Sequence, residues 1–114
     1  MSKFTIYHNP KCSKSRQTLE LLKEKGIEPT VVEYLKEPLT KDEVSSLIKK
    51  LDVDSQLLIR KKEDLYKENK PSIETDADIA KAIEKFPKIM ERPIVVCGSK
   101  AVIGRPPENV LALI

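Results

Sequence analysis

The residue with the most chemical promise in this 114-residue chain is Cys12, in the stretch His8-Asn9-Pro10-Lys11-Cys12-Ser13-Lys14-Ser15-Arg16. Pro10 fixes its own φ and biases Asn9 away from helix, so a loop precedes the cysteine. A helix predicted from about Ser13 to Lys25 puts Cys12 just before or at its first residue. Free backbone N–H groups and the positive dipole end stabilise a thiolate there, and such placements bring thiol pKa values from ~8.5 into the range of about 3.5–7.5. The polar neighbours predict an exposed loop, which favours a reactive thiol over a small apolar residue tucked under the helix. His8, at the end of the preceding strand, can approach the thiol. Ser15 either donates a hydrogen bond to the thiolate from the first turn or is an ordinary surface helix residue. It also stands where a Cys-x-x-Cys motif has its second thiol, so an intramolecular disulfide cycle at this site is excluded. Redox turnover would need a thiol from elsewhere.

A nucleophile among backbone N–H donors at a helix start is also how proteins hold phosphate-like oxyanions. Such chemistry needs cationic clamps, and arginine provides them bidentately. Arg60, Arg92 and Arg105 stand outside the first helix. Arg60, beside Lys61 and Lys62, reads equally well as part of a solvated charge run. One His and two distant cysteines, Cys12 and Cys97, lack the ligand spacing of a metal site. With three glycines in all there is no Gly-rich phosphate loop, and no tightly bound cofactor is expected.

The elements that must position these residues follow from periodicity. Lys3–His8 and Thr30–Tyr34 read as strands either side of the first helix, whose stripe carries Leu19 and Leu22 and which Gly26 ends. Thr40-Lys41-Asp42-Glu43 is a capping box opening a helix through Val44, Leu47, Ile48 and Leu51. A short helical turn is predicted from Ser55 to about Arg60, and a helix capped by Thr75 or Asp76 carries Ile79, Ala80 and Ile83. Arg92–Cys97 and Ala101–Ile103 form a hairpin about Gly98-Ser99-Lys100, and a short final helix spans Glu108–Leu113. The order βαβ, helices, ββα, with a cysteine at the first strand–helix junction, is thioredoxin-like. The fold class is therefore α/β: a thioredoxin-like βαβ…ββα mixed sheet in a single domain over 1–114, with a helical insert at about 38–90 between the two halves. That fold sets a cis-proline opposite the reactive cysteine, which makes Pro93 the candidate and brings Arg92 to the site. Arg105 follows the last strand, where the chain turns back.

Together with Tyr34-Leu35, Leu58-Ile59-Arg60-Lys61-Lys62, Glu91-Arg92-Pro93-Ile94-Val95-Val96 and Gly104-Arg105-Pro106, the His8–Arg16 motif closely resembles the glutaredoxin-coupled arsenate reductases across essentially the whole chain. The resemblance implies that Cys12 attacks arsenate and forms a covalent arsenic–sulfur adduct. It implies that Arg60, Arg92 and Arg105 bind the oxyanion, and that His8 and Ser15 tune the cysteine. Glutathione, as co-substrate, then attacks the adduct, and glutaredoxin reduces the mixed species with release of arsenite. The partners so implied supply the thiols that the Cys-x-x-Ser motif lacks. Cys97 has no role in this scheme and reads as a buried small hydrophobe.

Composition narrows the alternatives. At 39% hydrophobic and 34% charged the chain is too apolar for a disordered one. Its 21 basic and 18 acidic residues are mixed along the sequence, which argues against nucleic acid as a partner. No apolar run is long enough for a membrane span, and the first residues lack the apolar block of a signal peptide, so a cytoplasmic monomer is expected. Regulators of the related Spx family, which bind RNA polymerase, use Cys-x-x-Cys as their switch, and Ser15 removes it. A glutathione-linked thiol reductase without arsenate activity would share Cys12 but would not need three clamping arginines.

Overall fold

The structure, a computed structural model, describes residues 3–51 and 53–114. The β-branched run Thr30–Val32 forms strand β2, parallel to β1 (Phe4–Tyr7), with Ile6 opposite Val31. Helix α1 (Ser13–Glu24) crosses between them. Strand β3 (Ile94–Cys97) lies antiparallel on the other side of β1, and β4 (Lys100–Ile103) pairs with β3 through a turn at Gly98, whose φ of 62° suits glycine. The sheet order is β2-β1-β3-β4, a thioredoxin-like mixed sheet.

Alternation along the strands divides the core between the two faces. Ile6 and Val95, opposite one another, pack with Leu22 of α1 and Val110 of the closing 3₁₀ helix, Pro107–Leu113. Ile94 points the other way, into Val44 and Leu47 of α2 (Lys41–Lys50) and Ile79 and Ile83 of α4 (Asp76–Lys85). Each such fully buried side chain contributes about 1.5–3 kcal/mol. The capping box opens α2 with both hydrogen bonds formed: Glu43 N–H to Thr40 Oγ1 at 3.2 Å, and Thr40 N–H to Glu43 Oε1 at 3.1 Å. Thr75 caps α4 by accepting the Asp78 N–H at 3.1 Å. The short α3 (Asp64–Asn69) lies between them in the chain, with 3₁₀ turns before it at Ser55–Leu58 and after α4 at Pro87–Ile89.

Three elements differ from expectation, the first being α3, which forms in a charged stretch where no helix is predicted. Strand β2 stops at Val32, because the last bond on this side, His8 N–H to Val32 O at 2.8 Å, is made as β1 gives way to the Asn9-Pro10 loop. Tyr34 therefore leaves the sheet in a turn and is buried in the insert-side core. The final helix is the tighter 3₁₀ form. Among the described residues no helix is long and apolar enough to cross a membrane.

Candidate active site

Cys12 occupies the N-cap position of α1 with extended backbone, and its carbonyl accepts the Arg16 N–H at 3.0 Å. The loop before it is tied down by an Asx turn, Lys11 N–H to Asn9 Oδ1 at 3.0 Å, and by Cys12 N–H to Asn9 O at 3.0 Å. The loop is exposed at Pro10, Lys11 and Ser13, as expected, but Cys12 itself is only 9% exposed. Burial alone would push its thiol up. The Ser15 amide, the Arg92 guanidinium, the Lys14 amide and Arg105 outweigh it and hold the thiol below its ordinary value. The Ser15 and Lys14 amides lower its pKa as backbone donors to the ionised sulfur.

Ser15 is not a surface residue, nor does its hydroxyl turn to the thiol. It is wholly buried, its Oγ lies 2.6 Å from His8 Nδ1, and it accepts the Asn9 N–H at 3.0 Å. His8 reaches Ser15 rather than Cys12. Burial pushes its imidazole below the ordinary value, with Arg16 and Lys23 adding to the effect and Glu33 opposing it. With the Asn9 donor already accepted, the Ser15 proton is free for Nδ1 of a neutral His8. The pair thus fixes the first turn of α1, and with it the amides that face the sulfur. The helix's buried stripe is Ser15, Thr18 and Leu22. Two of the three are polar, which is why apolar periodicity alone did not reveal it.

The arginines reach this helix end by different routes. Arg92 and Arg105 each precede a cis-proline, Pro93 and Pro106. Arg105 Nη1 lies 3.8 Å from the Cys12 sulfur and donates to Arg92 O at 3.3 Å. Arg60 is brought in from the insert by an isolated antiparallel bridge between Ile59 and Met90. The bonds flanking it are Arg60 N–H to Ile89 O at 2.7 Å and Glu91 N–H to Leu58 O at 2.6 Å. Its guanidinium contacts Glu63 at 3.1 Å and Lys88 O at 3.1 Å, so Arg60 is no part of a solvated charge run. All three arginines line one cavity of about 500 Å³; Cys12 does not line it and meets it only through Arg105, whose Nη1 is 3.8 Å from the sulfur. Among the described residues no His, Cys, Asp and Glu cluster is disposed to hold a metal ion.

The ArsC family pattern matches residues 7–113, which span all of these side chains. The chain belongs to the ArsC family. It is 52% identical over 112 residues to the uncharacterized protein YfgD of Escherichia coli (strain K12), covering 96% of this chain and 94% of that protein. It is 46% identical to an arsenate reductase of Haemophilus influenzae, covering 96% and 97%. The solved arsenate reductase of Vibrio cholerae superposes with a TM-score of 0.92 at 44% identity, covering 99% of this chain and 98% of that one.

Within this ArsC chain two site residues escaped the sequence reading. Tyr34 is buried, and its phenol is pushed up first by burial and further by the Cys12 charge, while Arg92 and Arg60 pull it down. It therefore sits within the electrostatic reach of the Cys12 sulfur and of two of the three arginines. Glu91 holds its carboxylate 3.4 Å from Arg105 Nη1. A signal for Glu91 existed in its adjacency to Arg92. Cys97, by contrast, is half-buried rather than buried, and lies beside Phe4 at the end of the sheet remote from Cys12. It lines a separate cavity of about 680 Å³.

Proposed function

We propose that this protein reduces arsenate to arsenite, with Cys12 as nucleophile and with glutathione and glutaredoxin as the sources of reducing thiols. The observation that carries the reading is the convergence of Arg60, Arg92 and Arg105 on one cavity with Arg105 against the Cys12 sulfur. A thiolate used in dithiol exchange alone has no need of three guanidinium groups. A tetrahedral oxyanion does, because its developing charge is spread over several oxygens.

In this scheme the Cys12 sulfur attacks arsenic, and one arsenate oxygen leaves as water. The glutathione thiol displaces a second oxygen, again as water, and arsenic then carries two sulfurs. The glutaredoxin thiol attacks the glutathione sulfur. The sulfur–arsenic bond breaks with its electron pair left on arsenic, which falls from +5 to +3, and a glutaredoxin–glutathione disulfide forms. Water releases arsenite from Cys12. The arginines hold the oxyanion through the first two steps, and the helix amides with Arg92 and Arg105 keep the sulfur ionised for the attack. The names and overlaps of the relatives support arsenate as substrate, and the lone thiol at the helix start supports external reductants. We place this chemistry in a cytoplasmic monomer without a tightly bound cofactor.

The test is arsenate-dependent NADPH consumption coupled through glutathione reductase, glutathione and glutaredoxin, with wild type beside Cys12→Ser. Turnover is expected in wild type alone. A Cys12→Ser variant that turns over at the wild-type rate would refute the mechanism. A folded wild type with an acidic Cys12 thiol and no turnover would leave the scaffold standing with another substrate.

A further inference from the structure

Arg92 and Arg105 share a carboxylate. Glu91 Oε1 lies 3.4 Å from Arg105 Nη1 and 3.9 Å from Arg92 Nη1, and accepts the Arg92 backbone N–H at 3.4 Å. This is not a loose surface pair. The Glu91 side chain is 22% exposed and that of Arg92 17%. The backbone is anchored by the 2.6 Å bond from Glu91 N–H to Leu58 O, next to the buried Met90. Arg60 has its own carboxylate, Glu63, at 3.1 Å. Three guanidinium charges thus meet two carboxylates on a cavity that Lys61 and Lys62 also line, so positive charge is in excess there. One donor is left over: Arg92 Nε is buried without a hydrogen-bond partner among the described residues.

We propose that Glu91 determines the specificity of this clamp, as an internal carboxylate that competes with the incoming oxyanion for Arg92 and Arg105 and disfavours it in proportion to its charge. The inference rests on the reading of the cavity as an oxyanion site. Arg105 Nη1, 3.4 Å from Glu91 Oε1, must be shared with or taken from that carboxylate by an incoming oxyanion. Repulsion from one fixed carboxylate grows with ligand charge, so a doubly charged tetrahedral anion loses more than a singly charged one of the same shape. Glu91 therefore tilts the site toward singly charged tetrahedral oxyanions. Glu63 lines the same cavity but pairs with Arg60 alone, so it occupies one arginine where Glu91 occupies two and carries the smaller share of the effect.

The experiment measures how sulfate and methanesulfonate, a doubly and a singly charged anion with the same fork of oxygens, protect Cys12 from iodoacetamide. Alkylation is read by mass spectrometry on the Cys12 peptide at fixed pH and ionic strength, for wild type, Glu91→Gln and Glu63→Gln. Glutamine keeps the shape of Glu91 and its acceptor for the Arg92 amide. Glu91→Gln is expected to tighten sulfate about five- to tenfold and methanesulfonate about two- to threefold, the scale of a partly screened charge contact, with Glu63→Gln changing either less than about twofold. Sulfate binding that is unchanged or weaker in Glu91→Gln would overturn the inference, as would equal gains for the two anions or equal gains in the two variants. Protection in wild type without a gain in Glu91→Gln defeats this inference alone. Protection by neither anion in any of the proteins defeats the oxyanion reading as well.

Discussion

Arg105 brings Nη1 to 3.8 Å from the Cys12 sulfur although 93 positions separate them in the chain. The approach depends on the residue before it. A Cβ on Gly104 would lie 2.8 Å from Thr18 Oγ1 and 2.9 Å from Pro93 Cγ, so only glycine lets the end of β4 close on α1 and on Pro93. Thr18 Oγ1 shares its single proton between Lys14 O at 2.8 Å and, more weakly, Gly104 O at 3.3 Å, while Gly104 N–H donates to Pro93 O at 2.9 Å. The segment that carries Arg105 is thus pinned to the helix that carries Cys12.

Gly104→Ala should push these neighbours apart. The expected cost is about 1–3 kcal/mol from overpacking, read as a lower urea midpoint. Arg105 should also move off the sulfur, so Cys12 alkylation below neutral pH should slow. A variant with wild-type stability and wild-type alkylation would show that the contact at Gly104 has slack.

The arginines divide into two groups by their effect on the thiol. Arg92 and Arg105 lower the Cys12 pKa, so Arg92→Ala and Arg105→Ala should raise the midpoint of its alkylation–pH profile. Arg60 is not among the groups acting on the thiol, and Arg60→Ala should weaken oxyanion binding with the midpoint unmoved. A common shift in all three variants would contradict this division.

The same depressed pKa is a stability statement. The folded value lies below the ordinary 9.0, so the ionised thiol contributes stability in full above 9.0, and this is lost as pH falls through the folded value. The stability gap between wild type and Cys12→Ser in urea unfolding should therefore widen as pH rises toward 9.0. Cys97→Ala should leave that trend unchanged, because Cys97 lies at the far end of the sheet.

His8 and Ser15 give a trend at lower pH. His8 is held below its ordinary 6.5, chiefly by burial, so the unfolded chain takes up the proton first and stability falls as pH drops from 6.5 toward the folded value. His8→Gln should remove that slope. Ser15→Ala leaves the buried His8 Nδ1 and the Asn9 N–H without their partner, at about 1–3 kcal/mol. It should also slow Cys12 alkylation by loosening the first turn of α1. Stability measured across pH 5–7, roughly the histidine range, tests both.

Thr40→Ala provides a control remote from the site. It breaks the capping box of α2 and should cost about 1 kcal/mol of stability, with the alkylation profile of Cys12 unchanged. A change in that profile would mean that the insert couples to Cys12.

Local chemistry was legible in the sequence. Cys12 before a helix, the capping box at Thr40, the β-branched strands and the turn at Gly98 each depend on residues within a few positions of one another, and all formed. The thioredoxin-like order of elements follows from that local pattern. What tertiary structure alone decided depends on contacts between distant segments. Ser15 and Thr18 are buried because His8, Asn9 and Gly104 supply their partners, and no periodicity of apolar residues reports that. Tyr34 turns inward because β2 ends early. Arg60 reaches the cavity, which Lys61 and Lys62 also line, because Ile59 bridges Met90. Glu91 becomes the shared partner of two arginines only where β3 and β4 bring Arg92 and Arg105 together. Spacing along the chain encodes what one helix or strand presents, whereas the balance of charge around a sulfur is set by which segments the core packs side by side.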